Sequence, residues 1–389
     1  MQSYSIKVID SFCTGVVHKK FNAALLEMLA YTDYEIEYCS QAKYGKSLEK
    51  IISNDCEEKV TFSSLFVWNG EGRWDVLIRY IIGMFQNVRM LMQSKNDQIL
   101  IYNFNNPFFL KLLYAINKVM KRKVFMLCHG EMEHLIPDVG HGGLLYKLLG
   151  YEIRSFFMNK NRKPNINFIV LGESVLKHIK NILPSGISKN FQKVELPYVY
   201  EQNAHYDKRA SSGLCLGTVG TFNEYRGGTG LVELIEALHG DQRVRFSITG
   251  KIDWGLETLK ALHVSVPENE GKKMVSAEEF KKRISDLDYI LYFYPSNSYK
   301  LIASAAVMDA IELRKPIIAI RNDYFEHLFR YYGAFGYLVD DVKEMAELIC
   351  KIIDEGNAAR FDFDGIQKAS SPKVISAQFI SIIESVINK

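Results

Sequence analysis

Asn297 to Arg321 reads NSYKLIASAAVMDAIELRKPIIAIR. A polar loop opens a helix of small side chains around Ser304 and Ala305, the helix carries one acid at Asp309, and the stretch closes on the buried strand pattern Pro316 to Ile320. The first-turn amides of such a helix have no intrahelical acceptor and lie at the positive end of its dipole, which suits a diphosphate. Short side chains let an anion approach the backbone, and Asp309, one turn further in, is within reach of a ribose. Ala310, Ile311 and Leu313 mark the helix as largely buried, where an unpaired acid is costly. The competing reading of Asp309 is a solvated helix acid or a local cap.

Upstream, Leu214 to Leu238 (LCLGTVGTFNEYRGGTGLVELIEAL) repeats the logic of strand, glycine-containing loop and amphipathic helix. Ligands of open α/β sheets sit at the carboxyl ends of strands, so Gly220, Thr221 and Arg226 stand where a phosphate would lie, with Arg226 as the cation. A surface turn with a solvated arginine is the alternative for this loop taken alone.

Both stretches belong to an alternation of strand and helix patterns that runs the length of the chain, the signature of parallel sheets covered by helices. Strands are expected at Ser5–Ile9, Tyr34–Cys39, Lys59–Phe66, Gln98–Tyr102, Lys123–Cys128 and Asn167–Leu171. The series restarts at Leu214–Val219 and continues at Val244–Thr249, Tyr289–Tyr294, Pro316–Ile320 and Tyr337–Val339. With 389 residues, two domains are the natural partition: 1–200, a polar linker within Tyr198–Ser212, and 205–371. A polar segment, Glu355 to Pro372, leads to a final helix over 373–389 that can pack back on the first domain.

Composition bounds the function. The chain is 48% hydrophobic and 24% charged, and its net charge of +3 with no recognised motif argues against a nucleic-acid partner. The six cysteines show no Cys-x-x-Cys pair, which fits buried, reduced thiols. No secretory leader or membrane span is read from the pattern; the most apolar candidate, Val76 to Met92, is broken by Arg79, Gln86, Asn87 and Arg89. A cytoplasmic location is expected, with a peripheral contact at the inner membrane face. Arg154, Lys160, Arg162 and Lys163 around Phe156 and Phe157 form a patch that can rest on anionic lipid, or a solvated loop flank.

In the first half, His129 and Gly130 close the strand Lys123–Cys128, facing the expected cleft. The imidazole can donate to a sugar hydroxyl or a developing charge, and the glycine can admit a ligand to the backbone. A structural histidine is the alternative. Glu131, Glu133 and His134 follow without metal-ligand spacing, so no metal is expected. Tyr31, Tyr34, Tyr38, Tyr102, Tyr146 and Tyr151 are candidates for sugar stacking or for core positions.

Taken in order, Gly220 and Arg226-Gly227 after a strand, Asp286-Leu287-Asp288-Tyr289-Ile290 leading into one, and Asp309-Ala310-Ile311-Glu312-Leu313-Arg314-Lys315-Pro316-Ile317-Ile318 resemble the carboxy-terminal domain of GT-B-fold glycosyltransferases. The likeness is greatest to the retaining family 4 (glycosyl transferases group 1). Cys128-His129-Gly130 and Val170-Leu171-Gly172-Glu173-Ser174-Val175 add weaker matches in the first half.

The resemblance implies two Rossmann-like domains with parallel sheets facing a central cleft, the first on the acceptor side and the second binding a nucleotide-diphosphate sugar. It places Arg226 where the family has a phosphate-binding lysine and Asp309 where it has the ribose-binding acid. Gly220, Thr221, Gly227, Lys300, Ser304 and Ala305 complete the donor site; His129 and Arg226 are the catalytic candidates; Gly15, His18 and Gly130 face the acceptor. Two departures stand out. Thr221 occupies the place of a usual arginine, and Leu301 falls where the family has the first acid of its E-x7-E pair, with Lys300 or Tyr299 beside it as substitutes. The implied activity is a metal-independent, retaining hexosyltransferase (EC 2.4) acting on a glycan or lipid-linked acceptor in surface polysaccharide synthesis. It needs no cofactor, and UDP is expected as carrier in preference to GDP. A sugar-nucleotide epimerase of the same fold and a non-catalytic nucleotide-sugar-binding protein are the alternatives.

Overall fold

The computed structural model describes residues 4–70, 72–136, 143–201, 213–238, 240–295, 299–356 and 360–388. Asn297 and Ser298, residues 202–212 of the expected linker and residues 357–359 lie outside the described residues. The chain separates into two compact units, one of Met1–Val199, Lys300–Ala303 and Ser370–Lys389, the other of Tyr200–Tyr299 and Ser304–Ala369.

The first unit is built on seven strands: β1 (Ser5–Ile9), β2 (Glu35–Ser40), β3 (Val60–Ser64), β4 (Gln98–Tyr102), β5 (Lys123–Leu127), β6 (Asn167–Leu171) and β7 (Phe191–Val194). They are ordered β3-β2-β1-β4-β5-β6-β7 and every pairing is parallel. β4, β5 and β6 are buried along almost their whole length because helices cover both faces, which is why they read as unbroken apolar runs. β7 escapes the sequence reading: four residues, FQKV, two of them polar, carry too little apolar signal at an edge.

Side chains on β5 show the two layers. Val124 and Met126 join a core with Leu91, Leu110, Leu113, Ile153, Phe156 and Ile179, so the helices Arg73–Gln93, Leu110–Met120, Leu144–Phe157 and Glu173–Ile182 lie on one face. Phe125 points the other way and meets Phe379 of the final helix, Pro372–Ile387, with ring centroids 6.4 Å apart. That helix also lies along Lys19–Leu29.

Two expectations are corrected here. Phe156 and Phe157 are fully buried in this core and Arg162 stacks on the Phe156 ring, so the 154–163 stretch is no lipid-facing patch. Tyr38 and Tyr102 are also fully buried, which removes them as sugar-stacking candidates.

The second unit has five parallel strands, β8 (Leu214–Val219), β9 (Val244–Thr249), β10 (Tyr289–Tyr292), β11 (Ile317–Ile320) and β12 (Gly336–Val339), in the order β12-β11-β10-β8-β9. Its core gathers Leu216, Leu231, Leu234, Ile248, Leu291, Ile318 and Ile349. In each sheet the chain runs outward on one side and then crosses to the other, leaving a switch point between β1 and β4 and another between β8 and β10. Crevices at the carboxyl ends of such neighbours are where open α/β sheets hold ligands.

Of the six cysteines, five are buried and free; Cys350 is free and exposed. Among the described residues no helix is long and apolar enough to cross a membrane.

Candidate functional site

Gly220 and Thr221 leave β8 on one side of the second switch point, and Phe293 and Tyr294 leave β10 on the other, because β10 stops two residues earlier than its apolar run. Gly220 takes φ of +91°, which turns the chain over the strand ends, and its N–H donates to the Thr249 carbonyl at 2.9 Å. A short helical turn, Glu224–Arg226, is capped by Asn223, whose side-chain oxygen accepts from the Arg226 N–H at 2.9 Å. Gly227 then reverses the chain with φ of +81° into the helix Gly228–Ala237, and a Cβ there would stand 2.0 Å from the Phe293 carbonyl oxygen. Only glycine fits this contact, so the sequence Arg226-Gly227 locks the arginine over the loop.

The Arg226 guanidinium folds back across Gly220 and Thr221, with Nη1 donating to the Thr221 carbonyl at 3.5 Å and lying 3.3 Å from the place of a Gly220 Cβ. Burial pulls its pKa down, but the hydroxyls of Tyr299, Tyr294, Tyr225 and Tyr292 outweigh that and hold it above the ordinary arginine value. The group is a permanent, half-buried cation. Among the described residues no carboxylate pairs with it.

Beneath it, Tyr294 and Tyr299 stack with centroids 3.9 Å apart and planes 7° from parallel. The Tyr294 hydroxyl is 3.2 Å from Ser304 Oγ, and the Tyr292 hydroxyl donates to the Ala306 carbonyl at 2.8 Å. These tyrosines join the β10 end to the start of the helix Ala305–Glu312. Ser304 precedes that helix with extended backbone, but its N–H already donates to the Tyr324 hydroxyl at 2.9 Å, so the expectation of an unpaired donor at Ser304 does not hold. The amides of Ala305, Ala306 and Val307 are the ones the helix cannot satisfy from within. Asp309 is half-buried one turn further on, close enough to Tyr292 to add to the upward shift of its hydroxyl that burial and Tyr294 produce. Thus Gly220, Thr221, Arg226, Gly227, Ser304, Ala305 and Asp309 all stand on elements that meet at the β8–β10 switch point.

Lys300 and Leu301 fall elsewhere, within the first unit. Leu301 is buried in the first unit's core, and its N–H donates to Glu133 Oε1 at 3.1 Å. The position implied for a donor-site acid is therefore a packing residue.

At the first unit's switch point, Ile9 pairs with Tyr102, so Asp10 and Asn103 emerge side by side. Asp10 is completely buried. Its carboxylate accepts from the Cys13 N–H at 2.8 Å, Asn22 Nδ2 at 2.9 Å, the Tyr38 hydroxyl at 2.8 Å and Asn103 Nδ2 at 3.1 Å. The loop from Asp10 carries Gly15, exposed with φ of +60°, and His18, left-handed with φ of +52° at the start of Lys19–Leu29.

His129 follows β5. Its ring lies 4.5 Å from that of His18 and edge-on to Phe21 at 4.9 Å. Nε2 is 3.0 Å from the Asn103 carbonyl oxygen, which can only accept, so Nε2 carries the proton and Nδ1 is the open acceptor. Burial, with His18 alongside, pushes the His129 pKa well below the usual histidine value, and burial also lowers that of His18 against the pull of Asp10. Both are neutral imidazoles at physiological pH. Gly130 is exposed and a Cβ there would meet nothing within 4 Å, so no crowding enforces glycine. Next to it Glu131 is buried, accepts from the His129 N–H at 2.9 Å, and has its pKa pushed up to about 8 by desolvation. The structure thus brings His129 and His18 together in the first unit, with Gly130 next to the one in sequence and Gly15 on the loop that leads to the other.

Asp10, Asn103, Tyr292, Tyr294 and Tyr324 were missed by sequence reasoning, and Tyr299 entered it only as a substitute beside Leu301. Asp10 had a signal, an acid directly after an apolar strand; the tyrosines read as strand and loop hydrophobics.

No protein-family model matches the chain, and no curated protein matches it in sequence. Solved structures do match over nearly the full length. Anabaena Alr3699/HepE, in complex with UDP and glucose, is 11% identical, with 98% of this chain and 100% of that chain covered and a TM-score of 0.62. The lipopolysaccharide outer core galactosyltransferase WaaB, in its apo form, is 11% identical over 98% and 99%, with a TM-score of 0.57. The catalytic domain of Starch Synthase IV from Arabidopsis thaliana, bound to ADP and acarbose, is 10% identical over 100% of both chains, with a TM-score of 0.63. At such identities the likeness is one of fold: two parallel α/β units of the GT-B type.

Proposed function

We propose that this chain is a glycosyltransferase of the EC 2.4 type that takes a hexosyl group from a nucleotide-diphosphate sugar. The observation that carries the reading is Arg226. A half-buried guanidinium with no acidic partner among the described residues, laid over a glycine turn at a topological switch point, is costly unless an anion completes it. The amides of Ala305 and Ala306 add the positive end of a helix, and Asp309 adds an acceptor at the distance of one turn. Gly220, Thr221, Arg226, Gly227, Ser304, Ala305 and Asp309 form the proposed donor site.

In the reaction, an acceptor hydroxyl displaces the diphosphate from the anomeric carbon. The acceptor oxygen bonds to the anomeric carbon on the face the diphosphate leaves, the C–O bond to phosphate breaks with its electron pair going to the diphosphate, and the acceptor proton passes to the departing diphosphate oxygen. Arg226 and the helix amides stabilise the charge that develops on the departing oxygen, a preorganised electrostatic contribution that needs no metal. His129, neutral and with Nδ1 as acceptor, is the proposed first-unit catalytic group, and Gly15, His18 and Gly130 face the acceptor. Retention at the anomeric carbon, UDP in preference to GDP, a glycan or lipid-linked acceptor in surface polysaccharide synthesis and a cytoplasmic location complete the proposal.

Incubation with UDP-glucose, UDP-N-acetylglucosamine and GDP-mannose, with and without saccharide acceptors, tests it. Acceptor-stimulated release of free nucleotide is the expected result. Isomerised sugar nucleotide would assign an epimerase, and ligand bound but unchanged a binding protein. The last reading draws on two observations, Thr221 in place of a second cation and Leu301 as a core residue.

A further inference from the structure

The helix Arg73–Gln93 has two apolar faces. One is inside: Tyr80, Met90 and Leu91 are buried. The other is outside: Trp74, Ile78, Ile81, Phe85 and Met92 follow one another at spacings of four, three, four and seven residues, and all are exposed, Trp74 by 73% and Phe85 by 64%. Such spacing keeps side chains in one stripe along a helix. A helix at the surface of a water-soluble unit places polar residues there.

Its neighbour repeats the pattern. On Leu144–Phe157, Leu144, Leu148 and Tyr151 are exposed at spacings of four and three, Leu144 by 79%. Trp74 and Leu77 of the first helix line one apolar groove with Leu144, Leu145 and Leu148 of the second. Between them in the chain, Leu110–Met120 exposes Leu112 and Val119 and touches both, through packing on Arg73–Gln93 and through Lys111, whose ammonium pairs with Glu152 at 2.7 Å and lies over the Tyr151 ring. All three helices bury their inner sides in the same core, so their exposed stripes share one face of the first unit. Among the described residues the second unit exposes only Met274 and Tyr331 of the large hydrophobics.

Charge selects the occupant. With Arg79 buried and Arg154 turned to the His134 carbonyl, the described surface charges of the three helices are Arg89, Lys111, Lys118 and Lys147 against Asp75 and Glu152, a net positive face. A second copy would bring the same positive field onto itself. A bilayer containing acidic lipids offers hydrocarbon for the stripes and negative headgroups for Arg89, Lys111, Lys118 and Lys147. We infer that this three-helix face docks the first unit flat on an anionic membrane surface, with Trp74, Phe85 and Leu144 inserted at the headgroup level. The inference does not rest on the donor-site reading, because docking needs no nucleotide sugar.

Co-sedimentation of the full chain with two kinds of vesicle tests it: phosphatidylcholine alone, and phosphatidylcholine with about one third phosphatidylglycerol. The expected result is pelleting with the acidic vesicles only, weakening as salt rises. Trp74→Ser/Phe85→Ser/Leu144→Ser should abolish it, and Arg89→Glu/Lys147→Glu should reduce partitioning by roughly fivefold for each unit of charge. All five positions are exposed on the first unit and none belongs to the unit that carries Arg226, so unchanged melting temperatures and UDP binding separate lost docking from lost folding. Failure of the wild type to pellet overturns the inference, as does undiminished pelleting of the apolar variant. So does a wild-type dimer that ignores vesicles and becomes monomeric in the triple variant, which would give the face to a second copy.

Discussion

Replacing Arg226 by methionine separates a ligand-binding cation from a structural one, because the two roles predict opposite signs. Within the described residues the guanidinium makes one hydrogen bond, at 3.5 Å to Thr221, and no ion pair. Its loss should therefore cost the ligand-free protein little; removing a desolvated charge and keeping a similar volume should leave stability within about 1 kcal/mol or raise it. The diphosphate loses charge-assisted hydrogen bonds worth about 1.5–3 kcal/mol, which weakens binding roughly 10- to 100-fold. In thermal shift, UDP at a hundred times its wild-type Kd contributes about 2.7 kcal/mol, or roughly 5–10 °C. For a variant weakened thirtyfold, the same UDP concentration contributes only about 0.9 kcal/mol, or roughly 2–3 °C. Uridine without phosphates should bind both proteins equally. Undiminished UDP binding by Arg226→Met, or a ligand-free variant that melts several degrees lower, would refute the reasoning.

Gly227→Ala should destabilise the second unit by about 2–4 kcal/mol, read from its urea midpoint, since the new methyl would meet the Phe293 carbonyl at 2.0 Å in a left-handed backbone. Leu301→Glu, which restores an acid where the family resemblance implies one, should lower stability by more than about 4 kcal/mol and not raise activity, because it buries a charge in the first unit's core; a stable, more active variant would show that Leu301 leaves that core. For Glu131, the folded pKa of about 8 exceeds the ordinary 4.5, so the native state holds a proton that the unfolded chain has released. Its contribution to stability is present below pH 4.5 and declines by roughly 3–5 kcal/mol as pH rises to about 8. Glu131→Gln should flatten that slope in denaturant titrations at pH 5, 7 and 9.

The alternation of apolar strands with amphipathic helices needs only local information, because a strand buried on both sides must be apolar along its length. Hence β1, β4, β6, β8 and β9 were legible to the residue. β7 was not, since an edge strand half-covered by helices can afford Gln192 and Lys193. The donor loop was legible for a related reason: turning a chain sharply over the end of a strand requires glycine, and Gly220 and Gly227 leave that mark in the sequence. What surrounds Arg226 left no such mark. Tyr294 and Tyr299 are as compatible with a core as with a site, and only the early end of β10 places them under the guanidinium.

Leu301 and Phe156 make the same point in reverse. The family resemblance placed one at a donor site and basic neighbours offered the other a lipid contact or a solvated loop flank, and tertiary packing put both in the first core. The sequence by itself determined two parallel α/β units and the loops at their strand ends, since these follow from periodicity and backbone sterics along a few neighbouring residues. Which side chains face a ligand, which face the core and which face water was decided only by the folded chain, because burial is set by residues far apart in sequence.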